Sequence, residues 1–256
     1  MRSPDPAFST RVERCFRGGA ATYQSNASLQ AAVAARLARL ARPLASALPP
    51  GPRADLGAGS GLLARAIEAQ LGGPSLLRLD ACEALLAQDS TPGPALQRLW
   101  NLNAGLPEEL NGASLLASSF ALQWLEQPAQ QVTRWCNALR PDGALLLAVP
   151  CRGSFRIWHQ AAAAAGVTCT ALPLPDAAAL QQCAASALQL HHSQLLRFSR
   201  PNRGARAFLH QIKAIGAQAS PAARLQPGAL RQLIHHWPGP EHAIVWHVLV
   251  MVGQKR

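Results

Sequence analysis

The sequence predicts an α/β protein: a doubly wound, mostly parallel sheet with helices on both faces. Three observations predict it. A glycine-rich turn within Ala54 to Leu63 (ADLGAGSGLL) joins a short apolar run to a helix-competent one, Leu62 to Leu71. Strand-like and helix-like runs alternate as far as about residue 150, the pattern of repeated right-handed crossovers. Continuous apolar runs such as Ala144 to Val149 fit parallel strands covered on both faces.

The elements follow in order. Residues 1–25 mix Arg11, Arg14, Phe16, Arg17 and Tyr23 and read as a short helix and a loop. Ser25 or Asn26 is expected to cap a helix with Leu29, Val33, Leu37 and Leu40 on one face. Pro43 and the run Pro49 to Pro52 end it. Residues 1–50 thus form a helical cover. The first strand starts at about Arg53, and Gly72-Gly73-Pro74 closes the helix behind the turn. Ser75 to Leu79 is a second strand, ending in Asp80. A helix from Ala81 to Gln88, a loop from Ser90 to Pro94, and strands at Leu96 to Leu102 and Ser114 to Ser118 come next. Pro128 to Leu139 is a helix, and Arg140-Pro141-Asp142-Gly143 turns into the strand Ala144 to Val149.

Residues 151–240 are less regular. A strand is expected at Val167 to Leu174, a helix from Pro175 and Asp176 to Ala187, and a short strand at Leu195 to Phe198. Arg197, Arg200, Arg203 and Arg206 recur every third residue, but Pro201 and Gly204 favour a basic loop over a helical stripe. Ala205 to Ile215 is a helix ended by Gly216, and the β-branched run Ile244 to Val252 is the last strand. The whole, 1–256, reads as one domain: a cover at 1–50, a core at 53–150, and a substrate-side region with the final strands at 151–256.

Composition bounds the function. No apolar run reaches a bilayer span, and Met1 to Thr10 lacks a basic-then-apolar leader pattern. Neither observation favours a membrane, so the expected location is the cytoplasm. The six cysteines form no CxxC pair, which fits free thiols in a reducing compartment. The doublets His191-His192 and His235-His236 lack neighbouring Cys or carboxylate clusters, so no metal site is expected. The net charge is +11, nearly all of it from Arg. Such a charge steers acidic partners: nucleic acid, an anionic surface or an acidic carrier protein. No nucleic-acid-binding module stands out, so no stable nucleic-acid complex is expected.

The glycine turn carries the first chemical signal. Its three glycines allow a sharp bend and a close ligand, and the helix behind offers unpaired N–H groups. Gly59 to Ala64 fits G-x-G-x-x-A, a dinucleotide fingerprint. Asp55 to Gly61 fits D-x-G-x-G-x-G, the first motif of class I S-adenosylmethionine (SAM) methyltransferases. A loop that merely needs glycine is the plain alternative. Asp80 falls about twenty residues on, where a ribose hydroxyl pair needs an acceptor; it could equally cap a helix at Ala81.

Four further stretches point to one family. They are Phe16 to Tyr23 (FRGGAATY), Ser118 to Trp124 (SSFALQW), Leu139 to Gly143 (LRPDG) and Leu209 to Ala217 (LHQIKAIGA). Together they resemble the malonyl-[acyl-carrier protein] O-methyltransferases of biotin synthesis, from about residue 11 to the end. The resemblance implies a Rossmann-like class I methyltransferase fold with seven strands, the last antiparallel. It implies SAM as cofactor and, as partner, an acidic acyl carrier protein bearing a malonyl thioester. On the matching motifs, Asp55, Gly57, Ala58, Gly59 and Gly61 would line the methionine end of SAM. Asp80 and Ala81 would meet the ribose, Asn101 and Leu102 would flank adenine, and Ser118 would help close the site. Two positions depart from the family pattern: Asn101 and Asn103 stand where an Asp is usual, and Ser114 where strand four usually opens with an acid.

The chemistry so implied needs little from the protein. A carboxylate with an unperturbed pKa of about 4 is already ionised at neutral pH, so no general base is required. The site must place an oxygen in line with a methyl group. A guanidinium could hold the carboxylate, and Arg152 and Arg156, after the fifth strand, are the nearest candidates, with Tyr23 from the cover. The arginines at 197, 200, 203 and 206 are candidates for a carrier dock. Alternatives stay open: another small carboxylic acid or a quinone precursor as acceptor, an RNA substrate, or a non-methylating assembly protein on the same fold.

Overall fold

The computed structural model describes residues 6–91 and 93–256. Met1 to Asp5, part of the expected cover, and Pro92, in the expected loop 90–94, lie outside the described residues.

Among the described residues seven strands form one sheet, in the order β3-β2-β1-β4-β5-β7-β6. They are β1 (Arg53–Leu56), β2 (Leu77–Asp80), β3 (Gln97–Leu99), β4 (Ala113–Ser119), β5 (Leu139–Pro150), β6 (Leu188–Arg200) and β7 (Ile244–Lys255). Every pairing is parallel except those of β7, which runs antiparallel to both β5 and β6. The strand order reverses at β1 and β4, so a crevice opens beyond their carboxyl ends.

Alternation along the central strands fills two cores. In β5, Ala144, Leu146 and Ala148 face one way while Leu145, Leu147 and Val149 face the other, and all are buried. Two residues per pleat therefore commit both faces to helices. One face is covered by α2 (Ser28–Ala41), α3 (Leu62–Leu71), α6 (Arg156–Ala164), α8 (Ala205–Ala214) and α9 (Pro227–His235). The other is covered by α5 (Pro128–Ala138) and α7 (Ala177–Ala185). A one-turn helix, α4 (Glu83–Leu86), packs beneath α1 (Pro6–Asn26).

Several expected elements are redrawn. The cover begins as one helix of 21 residues, not a short helix and loop. Ser25 and Asn26 do not cap α2; both side chains donate back to the Thr22 carbonyl, and Ala27 takes the cap position. The segment 81–88 is a single helical turn, and β3 is a three-residue edge strand. Leu139 already pairs with Ala113, so Arg140–Gly143 bulges out of a continuous β5, with Asp142 at φ 61. Residues 167–174 form no strand, because β6 takes the sheet edge that they would need. β6 itself is 13 residues long, much longer than its apolar run suggests. As an edge strand with one wet face it carries polar residues at alternate positions, which hides it from a search for apolar runs. Asp176 does open α7, accepting from the Ala179 N–H at 3.0 Å.

The arginine run divides among three settings: Arg197 and Arg200 lie in β6, Arg203 in the turn after it, and Arg206 in α8. A single basic loop is therefore not what they form.

Candidate cofactor and acceptor site

Two cavities and a smaller third meet at the carboxyl ends of β1 and β4. The first is a cleft of about 710 Å³ lined by Tyr23, Gly57, Gly59, Asp80, Ala81, Asn101 and Leu102, among others. Seven residues expected from sequence thus converge on one space.

The three glycines of the turn have positive φ, at 77°, 54° and 76°, but different reasons for being glycine. A Cβ on Gly57 would lie 2.2 Å from the Ala121 Cβ, and one on Gly61 would lie 1.7 Å from Asp89 Oδ2. Both are excluded by the protein's own packing. Above Gly59 the nearest atoms are 3.9 Å and 4.0 Å away, the Leu85 methyl and the Tyr23 hydroxyl. Of the three, Gly59 has open space above its backbone on the cleft side, which is what a close ligand needs. Gly61 lies beside Asp89, the centre of a buried ion network in which Arg65 and Arg78 both donate to its carboxylate.

Asp80 ties the loops together. Its Oδ2 accepts from the Gly59 N–H and its Oδ1 from the Cys82 N–H, each at 2.8 Å. The N-cap of α4 is Cys82, so Asp80 is not a helix cap. Burial raises its pKa against the pull of those N–H bonds.

Asp55 is fully buried at the end of β1. Its Oδ2 accepts from the Ala64 N–H at 3.0 Å, while its Oδ1 has no partner. Burial pushes the carboxyl up to about 7, and the Ala64 bond and the Arg78 charge only partly oppose it. Asp55, Gly57, Ala58, Tyr23, Gln30 and Ser119 line the small cavity, of about 290 Å³, and the Ser119 hydroxyl is likewise buried without a partner. An orphaned buried acceptor costs free energy until something donates to it. The ammonium of a methionine moiety has the charge and donors to do so. The residues present fit SAM: Asp55 would take the ammonium, Gly59 would allow close approach, Asp80 would take the ribose, and Leu102 with Trp100 would form apolar walls for adenine.

Ser118 does not face the cleft. It is wholly buried, and its hydroxyl donates to the Leu56 carbonyl across the β1–β4 pair at 2.7 Å. Ser119 and Phe120, the next residues, reach the cleft instead. Asn101 accepts from the Asn103 N–H and donates to the Ser9 hydroxyl, so it joins the adenine side to the cover. Ser114 bonds back to the carbonyls of Gly51 and Pro52 and lies away from the cleft.

The second cavity, of about 700 Å³, is apolar and aromatic. Phe155, Trp158, Leu172, Leu174, Ile215 and Trp246 give its character. None of these was anticipated as a site residue, because they come from distant segments with no shared motif. Phe120 and Phe155 both hold positive φ, at 55° and 56°, a strain that non-glycine residues keep only where the surroundings enforce it. Phe155 is held by ring contacts to Phe208 and Trp246 at 5.6 Å and 5.4 Å.

Cleft and cavity share four residues: Phe16, Tyr23, Phe120 and Trp124. Three stretches read as diagnostic in the sequence meet here. Phe16 stacks edge-on against Trp124 at 5.4 Å. Gly19 and Gly216 touch backbone to backbone, since a Cβ on Gly19 would lie 2.5 Å from the Gly216 nitrogen. The Thr22 hydroxyl donates to the Ala214 carbonyl at 2.7 Å. Together these clamp α1 over the junction. Burial, with Asp80 and Asp55 nearby, pushes the Tyr23 hydroxyl well above its ordinary pKa, so it stays a neutral donor.

Arg152 and Arg156 do not reach this junction. Both are exposed, neither lines any of the three cavities, and Arg152 pairs with Asp176 at 3.4 Å. The turn at 151–155 carries them outward while Phe155 points in.

Comparison with known proteins agrees with this architecture. Residues 54–147 match a family model described as a methyltransferase domain. The chain is 32% identical over 242 residues to the biotin biosynthesis bifunctional protein BioCD of Bordetella avium, covering 90% of this chain and 48% of that one. It is 34% identical over 146 residues to a malonyl-[acyl-carrier protein] O-methyltransferase of Alcanivorax borkumensis, covering 56% of this chain and 49% of that one. The chain thus spans about half the length of these curated relatives. The solved YcgJ protein of Bacillus subtilis superposes with a TM-score of 0.55 at 15% identity, over 86% of this chain and 98% of that one. Residues 54–147 thus match a methyltransferase domain, the chain has the Rossmann-like fold of class I methyltransferases, and it resembles the malonyl-[acyl-carrier protein] O-methyltransferases.

Proposed function

We propose that the chain is a SAM-dependent carboxyl O-methyltransferase whose acceptor is the free carboxyl of a malonyl thioester on acyl carrier protein. The observation that carries this is the junction at Phe16, Tyr23, Phe120 and Trp124, where an acid-bearing cleft suited to SAM opens onto an apolar cavity. Bound in the cleft, SAM supplies a sulfonium-activated methyl group, and ester formation makes an O–C bond as the S–C bond breaks, with no proton to move.

The chain's residues then have few tasks. Asp55 would hold the ammonium and Asp80 the ribose. Phe16 and Trp124 would exclude water at the junction, and the Tyr23 hydroxyl would donate to the acceptor oxygen. Methylation removes the acceptor's charge, so the ester can enter an apolar elongation pocket elsewhere that would reject the free carboxylate. The relatives named for malonyl-carrier methylation support the substrate. The free thiols fit a cytoplasmic setting, and no helix among the described residues is long and apolar enough to cross a membrane. Arg197, Arg203 and Arg206 are exposed and suit an acidic carrier; Arg200 is engaged internally, donating to Ser28 and lying over the Trp246 ring.

The test is transfer of labelled methyl from SAM to malonyl-carrier protein, beside malonyl-coenzyme A, free dicarboxylic acids and RNA. Carrier-selective label lost on mild ester hydrolysis is the expected result. Label on a free acid alone would keep the chemistry and remove the carrier. Reversing the charge of Arg203 and Arg206 together should raise KM for the carrier-bound acceptor several-fold at low salt; an unchanged KM removes the dock.

A further inference from the structure

The chain holds 24 Lys and Arg residues, yet among the described residues none lines the cleft, the apolar cavity or the small cavity between them. The charged groups that do are Glu13, Asp55 and Asp80, all acids on the cofactor side. Among the described residues, a carboxylate acceptor in these three cavities therefore meets no cation; Arg17 lines only a neighbouring opening beside Glu13. What the apolar cavity does hold is neutral donors. Trp124 and Trp158 both line it, and their indole N–H groups are buried without a partner. Each ring is fixed by an edge-on stack, Trp124 on Phe16 at 5.4 Å and Trp158 on Phe208 at 5.5 Å. Gln123 donates one amide N–H to the Phe120 carbonyl, and its Oε1 is buried without a partner.

We propose that the acceptor carboxylate is positioned by uncharged donors, chiefly the indole N–H of Trp124 with that of Trp158 further in, and not by a guanidinium. This rests on the carboxyl reading above. N–H bonds to an anion are strong enough to orient it. They leave its charge uncompensated, so the oxygen keeps its electron density where a salt bridge would draw it off. Interactions that stabilise the anion and the transition state equally would add nothing to the rate. The cation missing from the protein is the one the cofactor brings. Loss of that charge on methylation leaves two N–H groups facing a weaker acceptor, which favours release.

The experiment compares Trp124→Phe, Trp158→Phe, Arg152→Ala and Arg156→Ala with the native chain. The acceptor is a malonyl N-acetylcysteamine thioester, which has no carrier to dock. Phenylalanine keeps an aromatic ring and removes the donor along with part of the indole's bulk, and the calorimetric SAM affinity checks that the fold around the cleft survives. KM for the acceptor should rise about tenfold or more in Trp124→Phe and a few-fold in Trp158→Phe. SAM affinity by calorimetry should stay within about twofold in both. Both arginine variants should match the native chain within about twofold. Salt supplies a readout that needs no variant: native KM for this small acceptor should change less than about twofold between about 50 mM and about 500 mM, whereas a guanidinium clamp would weaken severalfold. A tenfold rise in either arginine variant, a steep salt dependence, or unchanged KM in both tryptophan variants would overturn the proposal. If the native chain methylates a different carboxylic acid, the malonyl reading falls and the same comparison decides the donors on that acid. If it methylates only neutral acceptors, both fall.

Discussion

The two halves of the site are built by opposite means. The cofactor cleft carries the site's acids, takes its floor from the β1–α3–β2 unit beneath α1 and the turn after β4, and is organised by carboxylates that grip backbone N–H groups: Asp55 to Ala64, Asp80 to Gly59 and Cys82. The acceptor cavity is apolar and draws its walls from α1, α2, the turn after β4, α6, the segment 170–174, α8 and β7. It is held by ring contacts and by one glycine-to-glycine approach. The first is local and encoded by a short motif; the second is global and encoded by packing. Local encoding makes the cleft sensitive to single backbone changes, and global encoding lets the cavity vary in sequence while keeping its shape.

The largest expected effect separates glycines within the cleft. Gly61→Ala sets a Cβ against the buried Asp89 carboxylate at a left-handed position. Strain and crowding together should cost about 3–5 kcal/mol in denaturant unfolding. Gly59→Ala, two residues away, meets open space and should cost only about 1–2 kcal/mol of stability. Its SAM affinity by calorimetry should nevertheless fall about 100-fold. Equal losses of stability in the two variants would refute the distinction drawn between them.

Asp55→Asn comes next. Removing a charge-assisted bond to an ammonium should lower SAM affinity about 30-fold. The same variant has a pH signature. Burial holds the folded-state pKa near 7, above its ordinary 3.8. The carboxyl thus favours the folded state fully only below pH of about 4, and that contribution is lost as pH rises through about 7. The ligand-free native chain should therefore lose stability across this window relative to Asp55→Asn, by thermal unfolding at fixed ionic strength. Parallel curves would contradict the burial assigned to Asp55.

A related, smaller effect accompanies binding. An ammonium beside Asp55 pulls its pKa down, so SAM binding near pH 7 should release roughly half a proton. Calorimetry in buffers of different ionisation enthalpy reads that number directly. Proton uptake would reverse the assignment.

How much of this was legible follows the same division. The glycine turn, α3 and the strands β1, β2, β4 and the apolar part of β5 are short-range patterns, and the structure has them within a few residues of where the sequence places them. The carboxylate-binding residues were not legible. Arg152 and Arg156 sit at the right end of β5, but the direction of a side chain depends on the turn at 151–155, where Phe155 adopts positive φ. Ser118 was misread by one residue for the same reason: adjacent strand residues point to opposite faces. Trp158, Leu172 and Trp246 carry no spacing signal, because their proximity is created only when α6, the 170–174 segment and β7 pack. The FRGGAATY, ALQW and KAIGA stretches were legible as a resemblance, and Gly19 against Gly216 gives two of them a physical reason to occur together.

The mildest change sharpens the junction itself. Tyr23→Phe removes one hydroxyl that touches all three cavities and leaves the ring. Turnover should fall about tenfold while SAM affinity holds within about threefold. A loss confined to SAM affinity would move Tyr23 wholly to the cofactor side.

The most direct measurement is a crystal structure of the chain with S-adenosylhomocysteine. The expected result puts the ligand's amino group on Asp55 Oδ1, its ribose on Asp80, and its sulfur among Phe16, Tyr23, Phe120 and Trp124. A ligand whose sulfur points away from that junction, or an Asp55 Oδ1 still without a partner, would contradict the meeting of cofactor and acceptor at this place.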